Sequence, residues 1–293
     1  MDLFHNFSRV GLGTSNIASL GKRITKEQAS ILFTEALNSN VRVIDTADTY
    51  GSGDSERLIA NAIKGKRDDF FIITKAGLPY MSLPEFASPL NQVGKKVYQQ
   101  LGFKKKYSSD YLVTSLKKSL VRLNTNYVNT FFLHEPEKHD LVIYDDFWKG
   151  LEKIKKEGLA QNVGIATNDV EAFNLAFKAG VVDLLETAMP YNHKETTLFV
   201  QCKNNNIPVI VNQIMRAKDS LSMSEGMILK LTNRGLSIKD IPSILVAYAI
   251  NYKKADCVLI GTHSSIHLKE NANAPSYFHD LDSIFAEIEK NVL

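Results

Sequence analysis

The sequence predicts an α/β fold, a (β/α)8 TIM barrel, and three observations carry that expectation. Short β-branched apolar runs alternate with helix-like stretches along the whole chain, eight such runs occur, and three of them end in an ionisable residue. Alternation of this kind implies parallel βαβ units, and eight of them in a chain not much longer than about 250 residues favour a closed barrel over an open doubly wound sheet. A single barrel domain over residues 1–293 is therefore expected.

In chain order the expected strands are VGLGT (10–14), VRVID (41–45), FFIITK (70–75), YVNTFFLH (127–134), QNVGIAT (161–167), VDLLETA (182–188), PVIVN (208–212) and CVLIGT (257–262). Between them the helical period of apolar residues predicts helices over 25–38, 55–64, 109–123, 142–157, 169–179, 194–204 and 238–253, with a further one within 222–234. Asn168-Asp169 reads as a helix N-cap and Gly180 as the stop of the same helix. The one long irregular connection is the insert at about 76–108, a candidate substrate loop or lid.

Composition narrows the function classes. The net charge of +3 is the residue of 35 basic and 32 acidic side chains, too balanced to point to a nucleic-acid or membrane partner. The basic run Lys104, Lys105, Lys106 reads as a solvated loop. Only two cysteines occur, Cys202 and Cys257, with no metal-ligand spacing and no disulfide framework. Reduced thiols, the absence of an apolar signal core in MDLFHNFSRV and the lack of a membrane-length apolar run make a cytoplasmic location the expectation, as a monomer or small homo-oligomer.

The chemistry sits at the strand ends. Asp45 closes one apolar run and Tyr50 follows five residues later in VIDTADTYG (43–51); Lys75 closes FFIITK and His134 closes YVNTFFLH. Groups at the C-terminal ends of barrel strands meet at one mouth, so four unlike ionisable side chains share a site. A phenol is a poor acid, with a pKa near 10; a neighbouring ammonium favours phenolate, and a carboxylate keeps that ammonium charged and oriented. An imidazole beside them orients a carbonyl oxygen or shares the proton. A carbonyl polarised in this way accepts hydride, which no side chain can donate, so a nicotinamide cofactor is implied.

These residues resemble the aldo-keto reductases, whose barrel carries an Asp, Tyr, Lys, His tetrad. The likeness runs through RVGLGTS (9–15), VIDTADTYG with SERLIANAI (55–63), ITK (73–75), SLKKSLVRLNTNYVNTFFLHEPE (115–137), NVGIATN (162–168) and VLIGTHSSIHLKENANA (258–274). It implies Tyr50 as general acid/base, Asp45 and Lys75 as its tuning pair, His134 as the carbonyl-orienting group, and a small carbonyl or alcohol as substrate. It also implies a cofactor site at Gly13, Thr14, Asp45, Thr167, Asn168, Arg216, Gly261, Thr262, His267 and Asn271, with NADP(H) as the family default and NAD(H) open. The chain departs from the family in four places. Ala166-Thr167-Asn168 stands where Ser-Asn is usual, Glu186 or Thr187 stands near a usual Gln, VNQIMRAKDS (211–220) replaces a Ser-Pro-Leu turn, and His267 takes the place of an Arg, with His263 and Lys269 beside it. Those departures keep open a second function, a cofactor-binding regulatory protein with little turnover. A metal-dependent hydrolase built on Asp45 and His134 lacks the ligand cluster it needs.

Overall fold

The computed structural model describes Phe4, residues 7–18, 23–80, 104–190, 197–216, 218–219 and 224–290. Most of the insert at 76–108 lies outside the described residues. Eight parallel strands close into a barrel in sequential order: β1 Val10–Gly13, β2 Val43–Asp45, β3 Phe71–Ala76, β4 Val128–His134, β5 Ala160–Ala166, β6 Leu184–Ala188, β7 Val209–Asn212 and β8 Cys257–Ile260. Each overlaps one expected run, shortened or shifted at its ends where the chain leaves the ladder. Among the described residues no helix is long and apolar enough to cross a membrane.

Period-two alternation explains how the strands fill the barrel and equip its mouth. Val43, Phe71, Ile73, Phe132, Leu184, Ile210 and Leu259 belong to one buried cluster inside the barrel. The next residue of the same parity on each of five strands is Asp45, Lys75, His134, Glu186 or Asn212. Those five inward rows are thus apolar at depth and polar at the C-terminal rim. At the opposite end Phe4 packs edge to face on Phe71, ring centroids 5.6 Å apart, and stoppers the barrel. Gly164 is obligatory in β5: a Cβ there would stand 2.1 Å from the Leu184 carbonyl oxygen and 2.8 Å from the Phe132 ring.

The helices bury a second layer against the outer strand faces. They are α1 Lys26–Asn38, α2 Asp54–Ala62, α3 Ser109–Leu123, α4 Lys138–Ile143, α5 Phe147–Lys156, α6 Val170–Lys178, α7 Thr197–Asn204, α8 Glu225–Thr232, α9 Ile241–Ala247, α10 Ser265–Tyr277 and α11 Asp282–Lys290. Local chemistry sets their ends. Thr25 and Gln28 form a reciprocal capping box on α1, the Asp169 carboxylate accepts from the Glu171 and Ala172 amides, and Gly180 follows α6 at φ +74°. The single helix expected over 142–157 is two. Glu137 and Asp140 cap an earlier start at Lys138, and the chain turns at Tyr144–Asp146, where the Asp146 carboxylate accepts from the Ser109 amide. Helices α10 and α11, after the last strand, were not expected, because α10 buries only Leu268, Asn271 and Ala274 and so shows a thin apolar stripe.

Candidate active site

A cavity of about 360 Å³ opens at the C-terminal mouth, and Asp45, Tyr50, Lys75 and His134 all line it. Asp45, Lys75 and His134 arrive there as the last inward residues of β2, β3 and β4. Tyr50 is placed by the turn that follows. Gly51 and Ser52 both hold left-handed backbone, φ 57° and 58°, and a Cβ on Gly51 would fall 2.6 Å from the Ala18 side chain and 2.7 Å from its carbonyl oxygen. Only glycine satisfies both the conformation and the approach.

The lysine is the hub. Its Nζ is almost fully buried, donates to the Asp45 carboxylate and to the Thr46 carbonyl (3.2 Å), and lies 3.5 Å from the Tyr50 hydroxyl. Glu186 Oε2 is a second carboxylate oxygen 3.3 Å from it. That approach is an ion-pair contact outside hydrogen-bond geometry, since Oε2 has no hydrogen-bond partner, while Oε1 accepts from the Asn212 amide at 2.8 Å. The His134 ring meets the Tyr50 ring edge on, centroids 5.8 Å apart.

Charge and burial set the protonation states. Burial, then the Glu186 charge, push the Asp45 carboxyl up to about 8 against the opposing pull of Lys75. Lys75 is raised by its two carboxylate neighbours in spite of burial. The sequence reading has the ammonium lower the Tyr50 phenol. Instead burial outweighs Lys75, Asp45 and Glu186 act in the same direction as burial, and the phenol rises. Tyr50 therefore waits as a protonated donor.

The surroundings are locked. Ser55 donates to Thr14 Oγ1 (2.8 Å), Thr46 donates to Ser55 Oγ (3.1 Å), and Thr14 donates to the Asp45 carbonyl (2.8 Å). Glu56 accepts from Thr74 at 2.7 Å and from Arg122 at 2.5 Å. The SER of SERLIANAI is thus the clamp that fixes the loops carrying Asp45 and Tyr50. On the other side Tyr107, wholly buried, donates to the His134 carbonyl (2.8 Å). Lys105 donates to the Glu135 carbonyl and the Glu137 carboxylate, both at 2.9 Å. Lys105 is a tether for the returning limb of the insert, not the solvated charge its run suggests. Glu135 and Gln213, each directly after a strand, line the cavity with left-handed backbone at φ 52° and 58°, a strained conformation at about 1–2 kcal/mol per residue.

Of the expected cofactor residues, Gly13, Asp45, Thr167, Asn168 and Gly261 line the cavity. Thr14, Arg216, Thr262, His267 and Asn271 do not. Thr14 is spent on Asp45, Thr262 on the turn at Ser264, and Asn271 on the His267 carbonyl. Arg216 and His267 are exposed beside the mouth, Arg216 after β7 and His267 in the first turn of α10. Glu186 and Asn212 are the residues on the wall that sequence reasoning left without a role. Their signal was available: each interrupts an apolar run at the parity of the inward row.

The aldo/keto reductase family model matches residues 9–218, well over half the chain. The chain belongs to the aldo/keto reductase family. It is 24% identical over 216 residues to D-threo-aldose 1-dehydrogenase from a Pseudomonas species, an overlap of 71% of this chain and 66% of that protein. Matches of this kind span 45–66% of the length of three curated relatives. Among solved structures, the holo form of the Bacillus halodurans aldo-keto reductase AKR11C1 superposes over 97% of this chain and 92% of its own, with TM-score 0.76 and 21% identity. A Klebsiella pneumoniae aldo-keto reductase in complex with NADPH covers 95% of this chain and 91% of its own, with TM-score 0.70 and 20% identity.

Proposed function

We propose that this aldo/keto reductase interconverts a small aldehyde or ketone, sugars included, with its alcohol, using NADP(H) and with Tyr50 as the proton donor and acceptor. The observation that carries the reading is half-buried Tyr50 in the cavity, its hydroxyl 3.5 Å from an ammonium flanked by the carboxyl groups of Asp45 and Glu186. The NADPH-bound relative and the family match support the cofactor.

The cavity wall suits a nicotinamide. Glu186 Oε2 and Asn212 Oδ1 are buried acceptors without hydrogen-bond partners, and a carboxamide carries two N–H donors. Asn168 has its carbonyl oxygen engaged by Thr187 and Ala188, which leaves its amide N–H groups to offer. Gly261 keeps the rim open: a Cβ there would lie 3.3 Å from the Asn16 amide. When bound, the cofactor supplies or takes the hydride.

The side chains manage the proton. Tyr50 is protonated at rest and gives its proton to the carbonyl oxygen, so the hydride and this proton together make the alcohol. Lys75 stabilises the phenolate left behind, Glu186 keeps Lys75 charged, and Asp45 aims it. His134, edge on to Tyr50, bounds the place of the carbonyl oxygen and orients it. The free buried thiols of Cys202 and Cys257 support a reducing, cytoplasmic setting.

Tyr50→Phe tests the reading, because it deletes the transferable proton and little else. A screen of small aldehydes, ketones and aldoses with NADPH is expected to give turnover by wild type and a loss of about 10²–10⁴ in kcat for the variant, with NADPH still bound. A variant that keeps near-normal kcat on any substrate the wild type reduces ends the assignment.

A further inference from the structure

We propose that Glu186, a second acidic group on Lys75 beside Asp45, leaves the cavity with one more acid than cation, so that it holds the oxidised cofactor, NADP+, more tightly than the reduced one. The inference rests on the reading of this cavity as a nicotinamide site. Its physical basis is a charge count. Asp45 and Glu186 face Lys75 as two carboxylates on one ammonium, all three almost fully buried. From the other strands the wall brings the Tyr50 phenol after β2, His134 and the exposed Glu135 at the end of β4, the neutral Thr167 and Asn168 after β5, and the amides Asn212 and Gln213 from β7; β1 and β8 contribute Gly13, Ser15, Asn16, Leu259, Ile260 and Gly261. No second lysine or arginine stands on this wall among the described residues.

The two forms of the cofactor differ at the ring by one positive charge. Oxidised nicotinamide is a pyridinium, and the dihydro form is neutral. The carbonyl that accepts the hydride must lie within hydrogen-bond reach of Tyr50, and the donating carbon about 3–3.5 Å from it. Tyr50 itself is two short contacts, 3.5 and 3.3 Å, from the Glu186 carboxylate. A productive ring therefore shares one walled cavity with that charge, since Tyr50 and Glu186 both line it, and screening there is weak. Below about pH 8 a proton offsets the surplus acid. Asp45, pushed up to about 8 by burial and by Glu186, holds a proton that an ordinary aspartate would release. A pyridinium can replace that proton.

Isothermal titration of NADP+ and of NADPH into wild type, Glu186→Gln and Glu186→Asp, at pH 6.5 and 8.5, tests the proposal without reading turnover. Gln keeps the size of the side chain and an oxygen for Asn212; Asp keeps the charge and serves where Gln folds poorly. Wild type is expected to bind NADP+ more tightly than NADPH, and more so at pH 8.5. Glu186→Gln is expected to lose about tenfold for NADP+ with NADPH unchanged within about twofold, and Glu186→Asp to retain the NADP+ preference. Equal weakening of both forms, or no change in either, overturns the proposal and leaves Glu186 a structural partner of Lys75. Failure of wild type to bind either form overturns the nicotinamide reading itself, and this proposal with it.

Discussion

Replacing Lys75 by Met removes one ammonium from the centre of the site while keeping the length of the side chain. The structure sets the size of the effect. Asp45 loses its charged donor, the Thr46 carbonyl loses a hydrogen bond, and Glu186 loses a cation 3.3 Å away, all in a setting where Lys75 is 1% exposed. Breaking a buried ion pair on one side costs about 3–5 kcal/mol, because the partner charge is left behind. At about 2.1 cal/mol/K of unfolding entropy per residue, a chain of 293 residues converts that into a fall in Tm of about 5–8 °C. The drop should be largest at pH 8, and smaller at pH 5, where the orphaned carboxylates take up protons. The double variant Asp45→Asn/Lys75→Met should melt above Lys75→Met, since it leaves one orphaned acid, Glu186, in place of two. Thermal melts of wild type and both variants at the two pH values read this out, alongside kcat, which should fall by about 10²–10⁴ in Lys75→Met. A Lys75→Met protein that melts within about 1 °C of wild type at pH 8 and keeps its activity would refute the ion-pair hub.

Wild-type stability should fall as pH rises from about 4 to about 8. The folded Asp45 carboxyl titrates near 8, so in that window the folded protein holds a proton the unfolded chain has released. Asp45→Asn should flatten the slope, and melts that rise steadily across this window would contradict it. Gly51→Ala should cost about 2–3 kcal/mol, or about 3–5 °C, and cut kcat further than stability alone explains, because the φ 57° turn and the Ala18 contact both place Tyr50. Cofactor titration of His267→Arg should tighten NADP(H) roughly tenfold and leave NAD(H) almost unchanged, since a guanidinium fork grips the extra phosphate; equal changes would put His267 outside the phosphate site.

The sequence by itself determined the barrel and its tetrad, because both rest on short-range periodicities. Eight β-branched runs with helical spacing between them need no tertiary knowledge to imply βαβ units, and a residue closing a strand must sit at the rim. Asp45, Lys75 and His134 were legible for that reason, and Tyr50 because its loop is five residues long. Helix α10 escaped because its apolar stripe is thin, and the break at Tyr144–Asp146 because side-chain caps, not periodicity, set it. Only the tertiary structure decided which partners the rim residues take. Thr14 and Asn271 match the family's cofactor motifs and prove to be spent elsewhere, Thr14 on the Asp45 carbonyl and Asn271 on the His267 carbonyl within α10. Glu186 was placed near a usual Gln by its motif, but its meeting with Lys75 joins residues 111 positions apart in sequence across the barrel interior. The sign of the Tyr50 shift followed the same rule. Nearest-neighbour chemistry named the ammonium, but burial and two carboxylates from different strands outweighed it, and burial is a property of the closed barrel alone.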